Sequence, residues 1–134
     1  MKIKKIILGF SLLLVFGCST PNNCPDLVFN TIDKTTTLNN LPYTGRCTTY
    51  KDGFKRSIQQ YVNGVDYGKW IFYHSNGKIE TKGKFKDGLR VGVWRYFHSN
   101  GKIKQISRYS SQGDRKGLWT EYDSLGELIN KIKY

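Results

Sequence analysis

The chain has 134 residues, enough for one domain, and sets 22 Lys and Arg against 10 Asp and Glu, a formal charge of +12. Two histidines and ten scattered acids leave little from which a metal cluster or a catalytic set could be assembled. So strong a positive balance favours acidic partners: nucleic acid, anionic head groups or acidic protein.

Residues 1–17 read as an export signal. Lys2, Lys4 and Lys5 precede an apolar run from Ile6 to Phe16, interrupted only by Gly9 and Ser11, and Gly17 then stands before Cys18. A helix of that run rises only about 16 Å, roughly half a bilayer core, which is too short for a transmembrane anchor. Loss of its three lysines leaves 19 basic and ten acidic residues, a balance of +9. Export makes nucleic acid the least suitable partner, and none is expected.

The stretch LLLVFGC resembles the lipobox of bacterial lipoproteins: Val15 holds the branched apolar position, Gly17 the small one and Cys18 the modified one, while Phe16 departs from the usual small residue between them. The resemblance implies cleavage before Cys18, a diacylglycerol on its thiol and a palmitate-like chain on the new amino terminus. One acyl chain holds a protein only marginally, whereas two or three make a stable anchor. The implied location is the bacterial cell envelope, at the outer membrane where the host has one, with the membrane as the first partner through Cys18.

Residues 18–41 are then the lipidated cysteine, a tether and one extra strand. STPNNCPD has the composition of a tether, and LVFNTIDKTTTLNNL reads as a strand from Leu27 to Ile32 followed by a polar loop. With Cys18 committed to lipid, Cys24 and Cys47 remain. An even pair in an exported chain favours a disulfide, and two free thiols are the alternative in a reducing compartment.

From Pro42 to Tyr134 the chain repeats. Gly45, Gly68, Gly92 and Gly117 open four units, at spacings of 23, 24 and 25 residues. Gly53, Gly77, Gly101 and Gly126 mark a turn within each; Cys47, Trp70, Trp94 and Trp119 stand two residues after the opening glycine. Tyr61, Phe85, Tyr109 and Tyr134 stand eight residues after the turn glycine, and Asn63-Gly64, Asp87-Gly88 and Gln112-Gly113 close the first three units. Units this short, with two turn signals each, are β-hairpins, because tight reversals need the positive φ that Gly and Asn tolerate. The second strands alternate: Ile79, Thr81, Gly83 and Phe85 on one face against Lys78, Glu80, Lys82 and Lys84 on the other. Trp70 and Tyr73 are three apart, which requires either a bulge or packing on both faces. The fold class is all-β: an antiparallel meander of about four repeated hairpins, up to eight strands, over residues 42–134.

The pattern G-x-W-x-x-Y-x-x-N-G-K-I followed by G-x-[FY]-x-[DN]-G resembles the variant MORN repeat of bacterial proteins, and LPYTGRCTTYKDG resembles the opening unit of such chains. The first unit departs from the pattern, with Cys47 in the tryptophan position, as a capping unit would.

His74 and His98 sit in equivalent HSNG segments. Equivalent residues of successive hairpins lie about 9 to 10 Å apart, whereas the ligands of one zinc ion lie within about 2.1 Å of it. The duplicated histidines therefore belong to duplicated turns, and no catalytic residue, metal or cofactor is expected. Positive charge accumulates instead: stacking the units brings Lys84, Arg108 and Lys133 to one step of the second strands and Lys82 and Lys131 two residues earlier. Either these keep an exposed strand face soluble, or they bind an anionic partner, a protein or an envelope component. Two functions follow: a non-catalytic envelope scaffold, or an immunity protein that neutralises a protein toxin in the envelope, since some variant MORN chains are catalogued as antitoxins.

Overall fold

The computed structural model describes residues 22–24 and 26–134. The signal segment 1–17 and Cys18 lie outside the described residues. Thirteen strands follow in chain order: β1 Asn22–Asn23, β2 Leu27–Phe29, β3 Thr36–Leu38, β4 Leu41–Pro42, β5 Gly45–Lys51, β6 Phe54–Val62, β7 Val65–Asp66, β8 Gly68–Tyr73, β9 Ile79–Lys86, β10 Leu89–Phe97, β11 Ile103–Tyr109, β12 Leu118–Tyr122 and β13 Leu128–Lys133.

From β5 onward the chain is an antiparallel meander in which each strand pairs with the next, and β7 and β8 pair with β6 as two parts of one interrupted strand. The four hairpins read from the glycine spacing are β5–β6, β8–β9, β10–β11 and β12–β13. Three of the connecting turns are two-residue reversals at Asp52-Gly53, Asn63-Gly64 and Asp87-Gly88. In each the first residue has φ near 50° and the glycine 78°, the primed geometry that matches the right-handed twist of the flanking strands.

The amino-terminal part is more ordered than its composition suggests. β2, β3 and β4 form a separate antiparallel sheet, so the segment expected to be a polar loop contributes two strands of its own. Pro42, taken as the first residue of the repeats, belongs to that sheet instead. The small sheet is tied to the first closing turn: Thr36 N donates to Gly64 O at 2.7 Å, and Gly64 N donates to Tyr43 O at 2.8 Å. Part of the expected tether is also held, since β1 pairs in parallel with β5 through Asn22↔Cys47 and Asn23↔Thr48. Cys24 and Cys47 form a disulfide, with Cα atoms 5.6 Å apart. Asparagines have no apolar side chain to spend on a strand, and only the neighbouring cystine makes that parallel pairing intelligible.

Among the described residues the large sheet meets a second layer only where Leu27 of the small sheet and Tyr43 pack on its first unit, so most of the core is made along the sheet. Cys47, Tyr61, Trp70 and Trp94 are its buried members. Tyr43, Tyr61, Trp70, Phe85 and Trp94 meet edge to face in succession, with ring centroids 5.9, 5.4, 4.8 and 5.0 Å apart. Tyr109, Trp119 and Tyr134 continue the row at 5.3 and 4.9 Å. Such offsets suit the ring quadrupoles better than a face-to-face stack. Every indole N–H is satisfied in the same way: Trp70 donates to Gln60 O, Trp94 to Lys84 O and Trp119 to Arg108 O, at 3.1, 3.2 and 3.0 Å. Arg90 and Arg115 cover Trp94 and Trp119 from outside, 4.7 and 5.0 Å from the ring centroids. In unit one the buried cystine stands where the indole stands elsewhere.

Burial pushes the Tyr61 phenol up to about 12, with the nearby Asp66 charge a second cause. The ordinary tyrosine value is about 10, so the fold favours the neutral phenol. That contribution is complete below about pH 10 and is lost as pH rises through about 12. Burial also raises the Tyr96 phenol, so we expect an alkaline absorbance titration to show late-ionising phenols, the component near pH 12 being the one that Tyr61→Phe removes, with stability falling over the same interval.

Of the two alternatives for the Trp70–Tyr73 spacing, the bulge is realised. The register shifts between Phe72 and Tyr73, between Tyr96 and Phe97, and between Glu121 and Tyr122. The tryptophans face the aromatic core, while Tyr73 and Phe97 meet lysines, Lys55 at 5.8 Å and Lys82 at 5.4 Å from the ring centroids.

Candidate functional site

The face opposite the tryptophans collects the cations. Paired residues in adjacent strands share a face, so the register can be followed across the sheet. One row runs from Arg46 to Gln60, then through Lys69 and Lys84 to the bulged start of β10; it resumes with Val93 and Arg108 and reaches Leu118 and Lys133. Two residues along, Ile71, Lys82 and Arg95 lie side by side, followed by Ile106, Thr120 and Lys131. The five cations singled out from the sequence, Lys82, Lys84, Arg108, Lys131 and Lys133, thus stand on one face, with Lys84 and Arg108 separated by β10.

Sequence reasoning missed Arg46, Lys69 and Arg95 on that face. All three lie in first strands, where the bulges scramble the alternation that made the second strands readable. For Arg46 and Lys69 the signal available was their place directly after the opening glycine, whereas Arg95 stands three residues after Gly92 and had no such marker.

Two shallow grooves cross this face. One, of about 540 Å³, is lined by Lys69, Lys82, Lys84 and Arg95 together with Ile71 and Val93. The other, of about 580 Å³, is lined by Arg46, Lys69, Lys84 and Lys86 with Gln60 and Tyr67. Lys69 and Lys84 border both, and they are directly paired. Among the described residues no ion pair joins these cations to a carboxylate. Arg108 is locally engaged, its guanidinium donating to the Leu118 carbonyl, whereas Lys69, Lys84, Arg95, Lys131 and Lys133 are exposed. Like charges so close on one sheet repel each other, and an anion laid over them would relieve that repulsion.

The duplicated histidines are apart from this surface and have a different task. His74 Nε2 lies 2.9 Å from Phe97 O, and His98 Nε2 lies 2.9 Å from Tyr122 O. Asn76 Nδ2 donates to Ser99 O and Asn100 Nδ2 to Ser124 O, both at 2.7 Å. Lys78 Nζ donates to Asn100 O at 2.9 Å and Lys102 Nζ to Leu125 O at 2.6 Å. Three side chains of each HSNGK segment therefore bind the backbone of the next turn, which is why the segment is repeated. In the fourth unit Asp123, Leu125 and Glu127 replace His, Asn and Lys. Asp123 Oδ1 accepts from Leu125 N and Glu127 N, so that turn closes on itself and the column ends. Those bonds also hold the Asp123 carboxyl below the usual carboxylate range, with the bond from Glu127 N the largest cause. We expect His98→Ala to cost about 1 kcal/mol of stability, the worth of one hydrogen bond, and to leave binding at the cationic face unchanged; chemical denaturation and a binding titration on one sample check both.

Among the described residues no group of three or more His, Cys, Asp or Glu could hold a metal ion.

The pattern of the MORN repeat variant matches residues 66–87 and 90–110. These two segments span the second unit and most of the third, and the repeat is a non-catalytic one. No curated protein matches the chain. Among solved structures, one chain of the "Crystal structure of GtfA/B complex bound to UDP and GlcNAc" is similar over 80% of this chain, at 13% identity and a TM-score of 0.38. The likeness spans 26% of that chain's length, too distant to bear on fold or function.

Proposed function

We propose that the protein is an envelope lipoprotein, processed after residue 17 and anchored through Cys18, whose repeat sheet is a non-catalytic scaffold that docks an anionic partner on its cationic face, a protein before a lipid. In this reading residues 18–41 join the anchor to the sheet and residues 42–134 present the surface. The observation that carries it is the shared register of Lys69, Lys82, Lys84 and Arg95 around one groove whose lining holds no carboxylate, Glu80 of the same face standing outside it. A sheet that needed charge only for solubility would be served as well by mixed signs.

Poly-glutamate is the protein-like probe and vesicles of phosphatidylglycerol the lipid-like one. The chain should bind poly-glutamate at low salt, and binding should weaken as ionic strength shortens the screening length. Lys69→Glu combined with Lys84→Glu should weaken it about tenfold or more, an effect of about 1.4 kcal/mol. Equal binding by the reversed-charge variant would overturn the reading. A single tight stoichiometric protein partner in place of salt-sensitive association would favour the immunity alternative.

A further inference from the structure

Among the described residues β13 is an outer strand of the large sheet: β12 lies on one side of it, none of the described strands pairs with the other, and all six of its residues are exposed. Its backbone orientation follows from one pair. Gly117 and Tyr134 exchange both hydrogen bonds, at 3.1 and 2.9 Å. Antiparallel ladders alternate, so Trp119↔Ile132 and Glu121↔Asn130 are the hydrogen-bonded pairs, and Lys131 and Lys133 turn their N–H and C=O groups away from β12. In agreement, the Lys131 N–H is met by Asn130 Oδ1 at 2.8 Å.

The same two residues place their side chains on the cationic face. Ile132, between them, faces the other way beside Trp119, where Tyr134 ends the aromatic row. An added strand would therefore hydrogen-bond at the positions opposite Lys131 and Lys133 and present those side chains to the lysines. Its intervening residues would extend the aromatic face. Lysines on an edge ordinarily discourage strand pairing; here they would discourage a neutral or basic strand and admit an acidic one.

The turn column limits the kind of partner. Asp123, Leu125 and Glu127 supply none of the donors that tie one turn to the next, so a further repeat hairpin would go unfastened, whereas a lone strand needs no such tie. A second copy meeting this edge would bring its own Lys131 and Lys133 against these, which like charge disfavours.

We propose that the outer edge of β13 receives one extended segment of a protein partner with alternating acidic and apolar side chains, its acids opposite Lys131 and Lys133 and its apolar residues continuing the row past Ile132 and Tyr134. The inference rests on the cationic face being a docking surface, and it adds that the partner joins the sheet as its next strand.

The test uses the full chain in detergent and a blocked peptide of alternating Glu and Val long enough to span β13. The peptide should bind and slow amide exchange at Lys131 and Lys133. N-methylation of its alternate amides, which removes donors and keeps every charge, should weaken binding about tenfold or more. Lys131→Glu with Lys133→Glu should weaken it similarly while leaving the melting temperature unchanged. If the N-methylated peptide binds as well as its parent, the edge inference falls and the docking face stands. If the chain ignores poly-glutamate as well, the docking face itself falls. Self-association in sedimentation that Lys131→Glu with Lys133→Glu abolishes would give the edge to a second copy and also overturn the proposal.

Discussion

Replacing Trp94 with alanine should cost about 3–5 kcal/mol, the range for removing a large aromatic from a packed core, and should leave a chain that melts on the order of 15 °C lower or does not fold at ambient temperature. The indole is 1% exposed. Phe85 meets it at 5.0 Å, Arg90 covers it at 4.7 Å, and its N–H is held by Lys84 O. Beneath it is Gly83, where a Cβ would stand 2.2 Å from the ring. The glycine is required here for space, because its backbone is ordinary strand. Gly83→Ala alone should therefore destabilise by about 1–3 kcal/mol through overpacking. In the Trp94→Ala background the same methyl enters vacated space and should cost little. A double-mutant cycle by urea denaturation should show coupling of about 1–3 kcal/mol. Additive effects would mean that ring and glycine do not meet.

That pair also shows what the sequence made legible. The hairpins and their turns were readable because each depends on local chemistry: Asn-Gly and Asp-Gly at reversals, and strict alternation in β9 and β11. Gly83 fell in the right place on the right face, yet nothing local told that the next hairpin's indole lies on it. The cationic face was half legible for the same reason. Second strands alternate cleanly and gave Lys82, Lys84, Arg108, Lys131 and Lys133, whereas Lys69 and Arg95 sit in strands whose register is reset by a bulge. The HSNG histidines read as turn residues, but their bonds run to the following turn, which only stacking creates. At the amino terminus the sequence misled, because Asn22 and Asn23 carry no strand signal. Their pairing with β5 is local to the Cys24–Cys47 bridge, a long-range constraint that no periodicity announces.

That bridge supplies the second large effect. It joins residues 23 apart in the sequence, and closing a loop of that size stabilises by about 3 kcal/mol on the chain-entropy account. The stabilisation should be local. Each hairpin of a repeat sheet contacts mainly its neighbours, so the free energy of one unit is not shared evenly along the array. The small sheet has other fastenings to unit one, through Thr36, Tyr43 and Gly64, and Cys47 is fully buried in the first unit's core. Reduction, or Cys24→Ser, should therefore free β1 and open β5 and β6, accelerating their amide exchange about a hundredfold. Amides of β11 and β12 should hardly change, since they are held by the Trp119 row and the turn column. Uniform acceleration from β5 to β13 would instead mean that the sheet opens as one cooperative body. The cystine would then be a clamp on the whole scaffold, and its redox state would govern the cationic face as well as the β1–β5 end of the sheet.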